Sequence, residues 1–318
     1  MPILAGPQRN ASEAGSSYAP ATQTPSGSIL IATDGTAAAE PAFRAASAIA
    51  AKLSLAVQVI VVVEPLPVLT PQPSLIAPPL VASPALLDTV RDRVITQMRE
   101  SAPEGRDWHV EVEYGRPSAE IAKKARDRKA QLIVIGLVHH GLVDRLLDGD
   151  TALEVVHQSR TPVMLASASL KGLPRSAVFA VDFSHQSMHA ARVGLRLLSD
   201  GAKITLAHVA PIVTVFDGTG MWEEEYEQAA TKELEKFAEA LNAPAGIRID
   251  QVLLRGSPAG ALLGLSDRTE ADLIVAGTRG AGLIERLLLG SVATRLMRHS
   301  TRSLLIVPDL EEQCEKAG

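Results

Sequence analysis

The chain repeats itself at a spacing of 141 residues, and a repeat of that length limits the available folds more than any local motif does. Gly136 and Gly277 each follow an apolar run, Leu132 to Ile135 and Leu273 to Ala276, and Gly115-x-Pro117 returns as Gly256-x-Pro258. The register continues through Gly141 and Gly282, Arg145 and Arg286, Leu146-Leu147 and Leu287-Leu288, and Gly149 and Gly290. Upstream, Ile29-Leu30-Ile31-Ala32-Thr33-Asp34 corresponds to Ala177-Val178-Phe179-Ala180-Val181-Asp182 at an offset of 148, so the first copy carries seven extra residues in between. Two copies of one domain are therefore expected head to tail. The division reads as a leader at 1–27, a first repeat at 28–168, a second at 175–309 and a polar tail at 310–318.

Each copy alternates short β-branched apolar runs with amphipathic stretches. The first copy's strands are expected at Ile29 to Thr33, Val57 to Val63, His109 to Glu113, Leu132 to Ile135 and Val163 to Ala166. The second copy's fall at Ala177 to Val181, Ile204 to Val209, Ile249 to Leu254, Leu273 to Ala276 and Leu304 to Val307. A run such as Val59-Ile60-Val61-Val62-Val63 is apolar on both faces, as a parallel strand covered by helices on either side must be. Between the strands, Ala37 to Leu53, Leu86 to Glu100 and Ser118 to Lys129 have helical periodicity. This alternation predicts an α/β fold, a doubly wound sheet in each copy. Ligands of such sheets bind beyond the carboxyl ends of the strands at the switch point. Asp34, Asp182, Gly136 and Gly277 all fall there.

The most specific local feature is GTRGAGLIERLLLGS, residues 277–291. Gly277 and Gly280 lack the Cβ that would block close approach of a ligand to the main chain. Gly290 and Ser291 open a second helical pattern, whose first N–H groups and positive dipole end suit an anion. The spacing, Gly-x2-Gly-x9-Gly-Ser, is neither the Walker loop nor the dinucleotide fingerprint. A strand-to-helix connection without a ligand is the plain alternative.

Composition narrows the class. The chain is 46% hydrophobic and 21% charged, with a net charge of −5. Aromatics are 3%, and no basic stripe with interleaved aromatic residues appears, which argues against a nucleic-acid partner. No apolar stretch reaches the ~18 residues of a membrane span. Residues 1–27, rich in Ala, Ser, Pro, Gly and Thr, read as a disordered leader without the apolar core of a signal peptide. The single cysteine, Cys314, lies in the tail, which excludes an intrachain disulfide and fits a reducing cytoplasm.

Taken together, GTRGAGLIERLLLGSVA, VDFS at 181–184 and AHV at 207–209 resemble the universal stress protein family in tandem form, over about residues 28 to 309. The resemblance implies a five-stranded parallel sheet of order 3-2-1-4-5 in each repeat, and pairing through the last strand as a homodimer or as an intrachain pseudo-dimer of repeats. It implies ATP as the ligand. Ala180, Val181 and Asp182 would lie at the first strand's end, with Asp182 against the adenosine, and Val209 would line the adenine slot. The phosphates would rest on the N–H groups around Gly277, Gly280, Gly290, Ser291 and Val292, with the Ser291 hydroxyl as a further donor and a candidate partner for Mg2+. Thr278 is a side-chain donor candidate. Arg279 and Arg286 either reach the phosphates or are solvated surface charges, and Asp182 can alternatively be a helix N-cap.

The first copy departs from this pattern. His139 stands at the position of Gly280, and Asp150 replaces Ser291 with Asp148 close by. A carboxylate a few Å from a phosphate costs roughly 1 kcal/mol in bulk water and about 4 at an effective dielectric of 20. The first repeat is therefore expected not to bind ATP well and to serve a structural, interface or sensing role. His185 and His189, at i and i+4, lack an evident third metal ligand, as does His139-His140. The Pro-rich run 64–87 is long for a connection and is either a lid, a subunit contact or a disordered segment. The expected function is a cytoplasmic stress-response protein that binds ATP in its second repeat. No catalytic base or loop lysine is identifiable, so slow ATP hydrolysis or phosphotransfer is the alternative, with a nucleotide-free interaction scaffold as the third reading.

Overall fold

The computed structural model describes residues 27–65, 83–105, 107–137, 151–210, 221–279 and 289–309. The leader, the Pro-rich connection from 66 to 82, His139, His140, Asp148, Asp150, Gly280, Arg286 and the tail with Cys314 lie outside them. The first half runs β1 (Ser28–Thr33), α1 (Glu40–Leu53), β2 (Ala56–Val63), α2 (Pro84–Ser101), β3 (His109–Tyr114), α3 (Pro117–Asp127), β4 (Ala130–Gly136), α4 (Thr151–Gln158) and β5 (Val163–Ala166). The second runs β6 (Ser176–Val181), α5 (His185–Leu197), β7 (Lys203–Ala210), α6 (Met221–Leu241), β8 (Arg248–Arg255), α7 (Pro258–Arg268), β9 (Leu273–Gly277), α8 (Ser291–His299) and β10 (Ser303–Val307). All ten expected strands form within a residue or two of their expected bounds.

The strands make one sheet in the order β3-β2-β1-β4-β5-β10-β9-β6-β7-β8, so each half has the order 3-2-1-4-5 and the halves are joined through their last strands. Pairing is parallel throughout except at that seam, where β10 and β5 run antiparallel with Leu304 opposite Leu165, Leu305 opposite Met164 and Ile306 opposite Val163. All six side chains are at most 2% exposed. Lys52, at the end of α1, adds a polar tie across the halves by donating to the Leu198 carbonyl and, at 3.2 Å, to Asp200.

Strand residues alternate between two cores. Ile29 and Ile31 join Phe43 of α1, Met98 of α2, Ala190 of α5 and Phe237 of α6 on one face. Leu30 and Ala32 join Ile121 of α3, Val155 of α4, Leu262 of α7 and Leu296 of α8 on the other. Burial on both faces is what the uninterrupted apolar strands called for.

Two helix starts differ from the sequence expectation. The stretch from Ala37 begins as a 3-10 turn, Ala37–Ala39, before α1 proper. The Pro-rich run ends in helix rather than loop: Ser83 caps α2 through Leu86 N, and Pro84, which has no N–H to leave unpaired, takes a first-turn position. The repeat extends to unusual backbone angles, since Lys129 and Glu270, 141 residues apart, are both left-handed at φ 50° and 49°.

Candidate functional site

In the second half the strand order reverses between β6 and β9, and the candidate residues gather at their carboxyl ends. The β6–β9 register pairs Phe179 with Val275, so Asp182 and Thr278 each stand three residues beyond that pair. On the other side of β6, Val181 is opposite His208, which puts Val209 next to the Asp182 turn. Ala180, Val209 and Val292 are half-buried along the rim of the second core. Thr278 is 8% exposed, Gly290 is buried, and Ser291 is exposed.

The turn after β9 and the start of α8 are tied together. Gly290 N donates to the Thr278 carbonyl at 2.7 Å, and Thr278 N donates to the Val307 carbonyl at 3.0 Å. Gly290 is the N-cap of α8, with φ −59° and ψ 148°, and offers no side-chain oxygen to the first-turn amides. The amides of Ser291 and Val292 thus open a helix that has no acidic residue in its first turn. Backbone N–H groups in that position present partial positive charge.

Asp182 is not the N-cap of α5. That role belongs to Ser184, whose Oγ accepts from Ser187 N at 3.1 Å. Asp182 sits two residues earlier, and its Oδ1 accepts from Ser184 N at 3.1 Å and from Ser184 Oγ at 2.5 Å. The carboxylate is therefore oriented by the cap. Between them, Phe183 adopts a left-handed φ of 64°, an unusual conformation for a bulky residue.

Three contacts around this site involve side chains to which the sequence patterns gave no role. Phe183 packs on His208 with ring centroids 4.3 Å apart. His208 is buried; its Nδ1 donates to the Val181 carbonyl at 2.8 Å, which leaves Nε2 to accept from the Tyr226 hydroxyl at 2.8 Å. Burial raises the Tyr226 pKa above its ordinary value. Gln186, in the first turn of α5, lies 2.8 Å from Thr278 Oγ1. With its amide oriented to suit these neighbours, its oxygen accepts from that hydroxyl and from the N–H groups of Thr278 and Arg279, each at 3.2 Å. Helical periodicity marks Gln186 only as a half-polar position four residues after Asp182. Its contact with the β9 turn is a product of the fold.

The first half has the same turn in other residues. Asp34 Oδ1 accepts from Thr36 N at 2.8 Å, and Gly35 takes the left-handed conformation at φ 76°. A Cβ on Gly136 would stand 2.0 Å from the Ala38 carbonyl oxygen, so the 3-10 turn presses main chain against the end of β4. In the second half the nearest atoms to a Cβ on Gly277 would be the Gln186 side chain at 3.0 Å and the Arg279 carbonyl at 3.3 Å.

His185 is exposed and His189 half-buried. Burial lowers the His189 pKa, with the Arg192 charge adding to this and Asp309 opposing it. Among the described residues no three His, Cys, Asp or Glu side chains gather as metal ligands. No described helix is long and apolar enough to cross a membrane.

Comparison with known proteins follows the same division. The model of the universal stress protein family matches residues 26–167 and again 175–308. A universal stress protein of Mycolicibacterium smegmatis is 26% identical over 191 residues, which cover 57% of this chain and 62% of that protein, so less than two thirds of that relative is spanned. One from Methanocaldococcus jannaschii is 31% identical over 147 residues, 43% of this chain and 84% of the relative. The crystal structure of a universal stress protein from Archaeoglobus fulgidus shares the fold at a TM-score of 0.61, with 18% identity and coverage of 91% of this chain and 98% of that one. With one family match in each half of a sheet built twice over, the chain belongs to the universal stress protein family as a tandem member.

Proposed function

We propose that the second repeat binds an adenine nucleotide, ATP, and that the protein is a cytoplasmic stress-response module whose regulatory or protective role depends on that ligand. The observation that carries this reading is the Gly290 N to Thr278 carbonyl bond of 2.7 Å, which joins the start of α8 to the end of β9. It sets two groups of main-chain amides beside one another at the switch point, with the oriented Asp182 carboxylate on the adjoining strand end. Amides of this kind neutralise phosphate without bulk, and a short carboxylate suits a sugar or amine edge. In this reading Ala180, Val181 and Val209 form the adenine side. Gly277, Thr278, Arg279, Gly280, Gly290, Ser291 and Val292 form the phosphate side, where the Ser291 hydroxyl suits Mg2+ carried by the phosphates.

The first repeat is read as a non-binding partner. Its corresponding crevice holds the Ala38 carbonyl against Gly136, and its sequence has carboxylates where the second repeat has Ser291 and its neighbours.

Gly290→Asp tests the reading. The φ and ψ of Gly290 are open to any residue, and Asp is a favoured N-cap, so α8 gains a cap while its amides are taken by a carboxylate. Isothermal titration is expected to show ATP binding by the unmodified protein at one site per chain, and a loss of about tenfold or more in the variant, with a cooperative thermal melt as the check that the variant is folded. Equal affinity in the two proteins would mean that the phosphates rest elsewhere. A turnover assay on the same samples separates a nucleotide-binding module from an ATPase.

A further inference from the structure

We propose that Gln186 is a displaceable plug on the phosphate side of the second repeat, a residue that sets how strongly the site discriminates phosphorylated from unphosphorylated adenosine. The inference rests on the nucleotide reading above. The side-chain oxygen of Gln186 accepts from the hydroxyl of Thr278 at 2.8 Å and from the N–H groups of Thr278 and Arg279 at 3.2 Å. A neutral amide oxygen thus occupies the place on the β9 turn where an anionic oxygen would be held. The Thr278 amide is shared with the Val307 carbonyl at 3.0 Å, so the Thr278 hydroxyl and the Arg279 amide are the donors that Gln186 chiefly engages.

Gly277 gives the plug its seat. A Cβ there would lie 3.0 Å from Gln186 Cγ, tighter than ordinary contact, so the bare glycine admits the glutamine stem. The first repeat offers a natural contrast at the corresponding position. Ala38 lies 148 residues before Gln186, the offset that relates Asp34 to Asp182, and its carbonyl oxygen crowds the end of β4 at Gly136. Both repeats therefore set an acceptor oxygen against the carboxyl end of their fourth strand. In the first it belongs to the main chain of a 3-10 turn and is fixed. In the second it is the tip of a half-buried side chain with three rotatable bonds, and it can swing away. A phosphate oxygen, being charged, makes the stronger hydrogen bond to the same donors and can displace it. Adenosine brings no such oxygen and leaves the plug in place.

Titrations of the full chain with ATP and with adenosine, on the unmodified protein, Gln186→Ala and Gln186→Glu, test this, with thermal melts as the folding control. Gln186→Ala frees the donors, and its ATP affinity is expected to rise roughly 3- to 10-fold, the equivalent of one lost competing hydrogen bond, while adenosine affinity stays the same. Gln186→Glu keeps the acceptor geometry with a negative charge, and its ATP affinity is expected to fall about tenfold or more, again without change for adenosine. If the unmodified protein binds ATP but Gln186→Ala binds it equally or more weakly, Gln186 is a support and not a plug. A parallel change for adenosine in either variant also overturns the proposal. Absence of ATP and adenosine binding in all three proteins overturns the nucleotide reading together with this one.

Discussion

Gly35 and Phe183 occupy the same turn of the two repeats and share its left-handed backbone, at φ 76° and 64°. The turn follows the first strand of each repeat and carries the chain past Asp34 or Asp182 into the next helix. A glycine satisfies it without strain, whereas a phenylalanine there costs about 1 kcal/mol or more. Phe183 offsets that cost by packing its ring on His208 and the first core.

Phe183→Gly is therefore expected to be less destabilising than Phe183→Ala, by about 1 kcal/mol, because both lose the ring and only glycine relieves the backbone. This inverts the usual ranking of the two residues. Chemical denaturation of both variants checks it, and a less stable glycine variant would contradict the strain.

Gly136→Ala is expected to cost about 1–3 kcal/mol of stability or more, since the new methyl meets main chain 2.0 Å away and the 3-10 turn must shift. Gly277→Ala meets the Gln186 side chain, which can move, at 3.0 Å and the Arg279 carbonyl only at 3.3 Å, so it should cost less than Gly136→Ala, about 1 kcal/mol. Its effect should appear in ATP titration instead. Denaturant midpoints for the two variants, compared at one temperature, decide the contrast.

The two halves are expected to unfold as one. The first core runs without a break from Ile29 to Val307, and the β5–β10 seam is fully buried, so neither half keeps its last strand covered alone. Scanning calorimetry should give a single transition with equal calorimetric and van't Hoff enthalpies. Two separated peaks would show that the seam does not couple the repeats. Met164→Ala, at the middle of the seam, should lower stability by about 2–5 kcal/mol.

A charge network under α3 makes stability depend on pH. Lys124 donates to Glu111 and, at 2.7 Å, to Glu113, while Arg128 meets Glu111 at 2.7 Å. Burial alone would raise the Glu111 pKa; the Lys124 hydrogen bond and the charges of Lys124, Arg128 and His109 outweigh it and hold the carboxyl below its ordinary 4.5. Folding thus favours the ionised acid, so this contribution is complete above the ordinary value and disappears as pH falls through the folded one. Lys124→Met should lower the melting temperature at pH 7 by about 2–3 °C, for about 1 kcal/mol. The gap should narrow at pH 3. A constant gap would show that Lys124 acts by packing alone.

The fold is legible in the chain because its signals are local and doubled. Runs such as Val59 to Val63 read as strands covered on both faces, and the register held from Gly115 and Gly256 through Gly149 and Gly290 announces the second copy. Where local chemistry overrides periodicity, at the 3-10 turn of Ala37–Ala39 and at Pro84, the helix starts fall a few residues from where the pattern puts them. The candidate site is legible in its glycines and in Asp182, since the need for bare backbone and a short carboxylate at strand ends leaves a mark in residue type. Gln186, Tyr226 and the burial of His208 leave none, because each acts through a contact between elements distant in sequence.

The sequence alone determined that two α/β repeats would form and that the second carries glycines at 277, 280 and 290 where the first has Gly136, His139 and Gly149, because strand burial and glycine spacing are properties of short stretches. Only the tertiary structure decided that the last-strand pairing is made within the chain, between β5 and β10, that Ser184 caps α5 while Asp182 is held beside it, and that Ala38 fills in one repeat the space that Gln186 fills in the other. Those outcomes depend on which main-chain and side-chain atoms compete for the same few ångströms at the strand ends. That competition has no linear pattern.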